Sequence, residues 1–98
     1  MLKTEIIKEK LLEKTDQIRK EFYVRQLGIF GSYVREEQTE DSDIDILVDF
    51  EKGHKDFFNY MKRKIYLESV LGREVDLVMK DAVKPRLKEI ISREVSYV

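Results

Sequence analysis

The stretch Gly31-Ser32-Tyr33-Val34-Arg35-Glu36-Glu37-Gln38-Thr39-Glu40-Asp41-Ser42-Asp43-Ile44-Asp45 decides how this chain is read. An apolar run, Leu27-Gly28-Ile29-Phe30, leads into its Gly-Ser pair. At its far end an Asp-x-Asp pair opens a second apolar run through Ile46, Leu47 and Val48. In a strand, residues i and i+2 point to the same face, so Asp43 and Asp45 project side by side, roughly 6.5–7 Å apart at the backbone. Two like charges on one face resist joint ionisation unless a cation joins them. A short Gly-Ser turn opposite them can offer backbone N–H groups and a hydroxyl to phosphate. Together these features point to a site for a metal-bound nucleoside triphosphate.

Working outward, residues 25–30 read as a strand that ends at Gly31, where the backbone can adopt positive φ or come close to a ligand. Residues 32–37 read as a short helix with Ser32 near its N-terminus, where anions are favoured. Ser32 taken alone is equally an ordinary N-cap. Residues 36–42 read as a solvated acidic loop. Residues 43–50 form the second strand, with Ile44, Ile46 and Val48 on one face and Asp43, Asp45, Leu47 and Asp49 on the other. Turn chemistry explains Asp43 easily. It explains Asp45 poorly, because an ionised carboxylate between isoleucines needs a partner.

Before this stretch, residues 4–23 space Ile7, Leu11, Ile18 and Phe22 at helical intervals, with Thr4 as a candidate N-cap. After it, residues 51–56 read as a loop, with His54 solvated and Asp56 a candidate N-cap. A helix over 57–71 carries Phe57, Phe58, Met61, Ile65, Leu67, Val70 and Leu71, with Phe58 and Met61 expected in the core, and stops at Gly72. Residues 74–79 form a third strand. Strand, crossover helix and strand in this order imply a parallel, right-handed pairing of the second and third strands. Asp76 sits between apolar residues on that third strand, roughly 4.8 Å to the side of the second, within reach of the same edge as Asp43 and Asp45. Pro85 suits the first turn of a helix over about 84–94, carrying Leu87, Ile90 and Ile91. The apolar tail Val95-Ser96-Tyr97-Val98 is expected to dock on the core or on a partner.

The totals narrow the function classes. The chain has 98 residues, enough for one domain with a modest core. Charged residues make up 40% and apolar ones 42%, as in a small globular protein with a heavily charged surface. A net charge of −1 offers no general attraction to nucleic acid or to an anionic membrane. The absence of cysteine removes disulfides, thiolate metal sites and a Cys nucleophile, and the single histidine builds no zinc site alone. No apolar stretch approaches a membrane span and the start lacks a signal-peptide core, so the expected location is the cytoplasm.

Three carboxylates set in apolar strands and a Gly-Ser turn are what phosphoryl-transfer chemistry requires. Mg²⁺ prefers oxygen and is usually held by one or two carboxylates plus substrate phosphates. Two such ions can orient an attacking hydroxyl and neutralise a leaving pyrophosphate. Asp43 and Asp45 would hold both ions, and Asp76 would complete the site nearest the acceptor and could take its proton. Ser32 and the N–H groups around Gly31 would hold the β- and γ-phosphates. Arg35 would either add a cation to the triphosphate or sit on the surface.

Gly31-Ser32, Arg35, Ser42-Asp43-Ile44-Asp45-Ile46-Leu47-Val48 and Val75-Asp76-Leu77-Val78 resemble the DNA polymerase β-like nucleotidyltransferase superfamily. Length and element order are similar to its minimal members, the MNT proteins encoded beside HEPN-domain partners. The resemblance implies a single minimal nucleotidyltransferase domain over residues 1–98: an αβαβαβα core of α/β class, with a small mixed sheet covered by helices. It also implies Mg²⁺-dependent nucleotide transfer with ATP as substrate and Asp43, Asp45 and Asp76 as the catalytic and metal-binding set. For HEPN-paired members it implies antitoxin activity, with AMP placed on a tyrosine of the HEPN ribonuclease. After such a core is counted, almost no chain remains to recognise an acceptor, so that surface must come from another chain, a second copy or a different protein. Two alternatives belong to other classes: a binding antitoxin that neutralises its partner stoichiometrically, and transfer to a small molecule or an RNA end.

Overall fold

The structure is a computed structural model describing residues 2–53 and 57–98, with only the backbone of Phe57 described. The expectations for His54 and Asp56 lie outside the described residues. Four helices and four strands follow one another as α1 (Thr4–Glu13), α2 (Thr15–Phe22), β1 (Val24–Phe30), β2 (Ile44–Phe50), α3 (Phe57–Leu71), β3 (Val75–Met79), α4 (Pro85–Glu94) and β4 (Ser96–Tyr97). Short 3₁₀ turns at Gly31–Tyr33 and Lys80–Ala82 follow β1 and β3. The strands form one mixed sheet in the order β3-β2-β1-β4. β2 and β3 are parallel across the α3 crossover, and β1 is antiparallel to both β2 and β4. This is the expected α/β core with a small mixed sheet, except that the first helix is split, a 3₁₀ turn stands where the second was expected, and a small edge strand is added.

Alternation along β2 divides the molecule. Ile44, Ile46, Val48 and Phe50 point into a core built with Ile7 and Leu11 of α1, Ile18 of α2, Leu27 and Ile29 of β1, Leu67 and Leu71 of α3, and Val75 and Leu77 of β3. Full burial of each such aliphatic side chain contributes about 1.5–3 kcal/mol, and this face carries most of the fold's stability. The other face of β2 presents Asp45, Leu47 and Asp49. Leu47 is covered by Ile91 and Tyr97, so α4 lies over the face opposite the other three helices.

Several local expectations need correction. The N-terminal helix is two helices. At Lys14 the backbone leaves the helical region, and the Thr15 hydroxyl donates to the Leu11 carbonyl at 3.2 Å. Thr4 is the first helical residue rather than the cap, and its hydroxyl donates to the Tyr33 carbonyl at 2.9 Å. The segment expected as a helix over 32–37 closes after one 3₁₀ turn, because Glu36 takes the left-handed conformation (φ 59°). Phe58 is 77% exposed and Ile65 is 59% exposed, so they lie outside the core, and Met61 is only partly buried. The buried line of α3 runs through Arg63, Leu67 and Leu71. Arg63 is buried: it donates to the backbone carbonyls of Phe22 and Asn59 and stacks over the Phe50 ring at 4.9 Å. Of the apolar residues on α4, only Ile91 is buried.

The tail docks on the core of its own chain. Tyr97 pairs with Gly28, and the Val98 N–H donates to the Leu27 carbonyl at 2.9 Å. Gly28 permits this approach, since a Cβ there would meet Val95 Cγ2 at 2.6 Å. Gly72 ends α3 as expected, at φ 69°.

Candidate active site

The site lies where β1, β2 and β3 end on the face shared with α4. Register places Asp45 directly opposite Asp76 on β3 and opposite Phe30 on β1. The expectation that Asp76 reaches the edge of Asp43 and Asp45 therefore holds. Its physical basis is the parallel crossover: once Ile44 pairs with Val75, residues 45 and 76 must sit side by side. Asp43 stands just before the strand. Its loop is held by the Tyr33 hydroxyl donating to the Ser42 carbonyl at 3.3 Å and by the Ile44 N–H donating to the Glu74 carbonyl at 3.0 Å.

The charges of these groups are coupled. Burial first, then the carboxylate of Asp76 and that of Asp43, push the Asp45 carboxyl up to about 6, with a hydrogen bond to Asp76 adding to the rise and Arg35 opposing it. Asp45 is half-buried, whereas Asp43 and Asp76 are exposed and keep contact with water. Crowded carboxylates without a counter-cation behave in this way.

Gly31 is buried at φ +78° beside this group. A Cβ there would overlap Asp45 Oδ2 and lie 2.9 Å from its Cγ. Glycine is therefore required twice, for the left-handed backbone and for the space that the Asp45 carboxylate fills. Ser32 follows, half-buried in the 3₁₀ turn. Arg35 comes next, and its backbone N–H donates to the Gly31 carbonyl at 3.1 Å. Its guanidinium lies at the surface, 46% exposed, and is held there by two carboxylates.

Sequence reasoning did not single out the residue that holds Arg35. Glu94, the last residue of α4, accepts from the Gly31 N–H at 2.9 Å and from Arg35 Nη1 at 3.1 Å and 3.0 Å through its two oxygens. Glu37 accepts from Arg35 Nε at 3.3 Å. Hydrogen bonds to Glu94 first and Glu37 second raise the guanidinium's affinity for its proton. One signal was available, because a carboxylate in the last turn of a helix opposes the helix dipole and needs another reason to be there.

The oxygen-only donor set of Asp43, Asp45 and Asp76 suits a hard cation such as Mg²⁺, and the raised proton affinity of Asp45 shows where positive charge would be welcome. Among the described residues, no group of three or more His, Cys, Asp or Glu side chains is arranged to hold a metal ion unaided. An ion there would take its remaining ligands from phosphate and water, as Mg²⁺ usually does. Among the described residues no helix is long and apolar enough to cross a membrane.

The site is thus a half-buried carboxylate beside two exposed ones, set against a Gly-Ser turn on a mixed sheet. The nucleotidyltransferase domain family matches residues 8–98, and the chain belongs to it; as an enzyme it is a nucleotidyltransferase. The protein adenylyltransferase MntA of Thermococcus cleftensis is 46% identical over 98 residues, covering 100% of this chain and 98% of that protein. The solved structure of a protein assigned as a minimal nucleotidyltransferase superposes with a TM-score of 0.81 at 33% identity, over 97% of this chain and 95% of that one. At lower identity the likeness is one of fold. A toxin–antitoxin with AMP-PNP gives a TM-score of 0.71 at 24% identity, over 87% of this chain and 69% of that one. The tri-AMPylated Shewanella oneidensis HEPN toxin in complex with MNT antitoxin gives 0.62 at 22%, over 90% of this chain and 70% of that one.

Proposed function

We propose that this chain, a single minimal domain over residues 1–98 acting in the cytoplasm, transfers AMP from Mg²⁺-bound ATP to a tyrosine hydroxyl of a HEPN ribonuclease toxin and serves as its antitoxin. The observation that carries the reading is the direct pairing of Asp45 with Asp76 beside Asp43, with Asp45 packed against the Gly31-Ser32 turn. The likeness to a protein adenylyltransferase across nearly the full length of both chains supports a protein acceptor. Fold neighbours that pair an antitoxin with a HEPN toxin support the partner, and one with AMP-PNP supports ATP as donor.

In the reaction the acceptor oxygen attacks the α-phosphorus. The bond from that phosphorus to the β-phosphate bridging oxygen breaks, and pyrophosphate leaves. Two Mg²⁺ ions on Asp43 and Asp45, with Asp76 completing the site, would neutralise the charge that builds up on the phosphates. Asp76 is exposed on the edge strand, where an incoming hydroxyl can reach it, and takes the acceptor proton. Ser32 and Arg35 hold the β- and γ-phosphates so that the pyrophosphate leaves away from the acceptor. The exposed carboxylates admit a second macromolecule as the acceptor.

The test is to incubate the protein with ATP, Mg²⁺ and the product of the adjacent gene and to weigh both intact chains. An AMP adduct on the partner, absent with Asp43→Asn, is the expected outcome. A tight complex that protects without any mass change, and protects equally with Asp43→Asn, would replace this reading with a stoichiometric binding antitoxin.

A further inference from the structure

Glu94 engages two of the groups assigned above to the triphosphate, the backbone N–H at Gly31 and the guanidinium of Arg35. It does so from a different element, the end of α4, across most of the chain's length, and its side chain is only 17% exposed. The place is unfavourable for a carboxylate because the helix dipole opposes it. Its three hydrogen bonds are the compensation, and all of them lead to the nucleotide cradle.

The contacts with Glu94 and Glu37 engage Nη1 and Nε of Arg35, and Nη2 takes part in neither. The guanidinium is thus held through two of its three nitrogens. An arginine held this way keeps the Nη2 donors for phosphate without losing side-chain freedom when the ligand arrives. The same carboxylate fixes the left-handed Gly31 turn that presents Ser32. We propose that Glu94 is the positioning residue of the nucleotide cradle: it holds Arg35 and the Gly31-Ser32 turn in the geometry that receives the triphosphate. The proposal rests on the nucleotidyl-transfer reading of the site. It assigns to α4, and to the β4 tail that follows it, a role in substrate binding in addition to packing.

Simple electrostatics predicts the opposite result, since removing a negative charge beside a triphosphate should tighten its binding. The two views are separated by measuring the Kd of Mg²⁺-AMP-PNP by calorimetry for the wild-type chain, Glu94→Gln, Glu94→Asp, Arg35→Ala and the Arg35→Ala/Glu94→Gln pair. Transfer to the partner at saturating ATP is measured alongside. Glu94→Gln is expected to raise Kd about tenfold while the saturated rate changes less than about twofold, the pattern of lost ground-state positioning. Glu94→Asp keeps the charge, and its shorter reach gives a rise of about threefold. The double variant should bind more tightly than the two losses multiplied would predict, because part of what Glu94 does passes through Arg35.

Unchanged or tighter binding by Glu94→Gln overturns the proposal. So does a double variant in which the two losses multiply, which would mark Glu94 as a structural residue independent of Arg35. Should Glu94→Gln fail to fold, Glu94→Asp decides on the same Kd. If Asp43→Asn leaves transfer intact while the Glu94 variants weaken AMP-PNP binding, the reading of the aspartates fails and the role of Glu94 stands. A wild-type chain that binds no AMP-PNP overturns both.

Discussion

Asp45 and Asp49 occupy the same face of the same strand, yet their charges are treated in opposite ways. Asp49 is the more deeply buried, at 6% exposed, and it is paired: Arg25 donates to it through Nε at 3.1 Å and Nη2 at 2.7 Å. The pairing comes from the bulge at Arg25 in β1, where the register with β2 slips by one residue. Asp45, less buried, faces Asp76 and Asp43, and its carboxyl is pushed up to about 6. One end of the face pairs its carboxylate directly with a guanidinium, and at the other Arg35 only partly offsets the crowding of three carboxylates. The same strand thus neutralises the carboxylate at position 49 and leaves the one at 45 short of positive charge, as the proposed cation site requires. The difference is therefore a better guide to function than either residue alone.

The comparison can be broken at several points. The largest effect is expected from Asp45→Asn, which should cut AMP transfer on the order of 10³-fold or more, since a metal-holding carboxylate contributes several kcal/mol to the transition state. Transfer rates followed by intact mass would show it, and a variant retaining a tenth of the activity would end the assignment of Asp45. Next is Gly31→Ala. A left-handed alanine whose Cβ overlaps Asp45 Oδ2 should cost about 2–4 kcal/mol in urea unfolding and should lower transfer at the same time. Arg25→Ala probes the paired end. It strands a buried carboxylate, so the thermal midpoint should fall by a few degrees with transfer per folded molecule unchanged. A loss of transfer in that variant would mean that the two ends are coupled.

The smallest effect has an informative sign. In the folded chain Asp45 keeps its proton up to about pH 6, against an ordinary value of 3.8, so the folded state binds more protons across that window. Stability then falls as pH rises through it, and the loss is complete above pH 6. Asp45→Asn should remove this slope and make the protein more stable at pH 7 by about 1 kcal/mol, a figure reduced for the carboxyl's partial exposure to solvent. Mg²⁺ should raise the melting temperature of the wild-type chain and leave that of Asp45→Asn nearly unmoved. A wild-type midpoint indifferent to pH between 4 and 7 would remove the electrostatic half of the argument.

Much of the architecture was legible because period and punctuation agree. Alternation in residues 44–48, helical spacing at Ile7, Leu11 and Ile18, and Gly72 after an apolar helix each mark an element without reference to the rest. The misplaced core residues share one cause: helical spacing permits burial of an apolar residue without requiring it. Phe58 and Ile65 have the right chemistry for a core, but α3 has one sheet to pack on, and its buried line is filled by Arg63, Leu67 and Leu71. The helix break at Lys14 and the early stop at Glu36 depend on competing local hydrogen bonds and a left-handed backbone, which composition does not reveal.

The sequence by itself determined the candidate chemistry. Carboxylates at 43 and 45 inside an apolar strand, and glycine before serine at 31 and 32, are local facts, because side-chain alternation and glycine's freedom act over a few residues. Only the tertiary structure decided which carboxylates are neighbours and what surrounds them. Asp76 meets Asp45 through the register of a parallel pair, and Glu94 meets Gly31 and Arg35 because α4 folds back over the sheet. Register and helix docking are set by burying Ile46 and Leu77 on one face of the sheet and Leu47 beneath Ile91 on the other, contacts distant in sequence, and no short pattern can encode them.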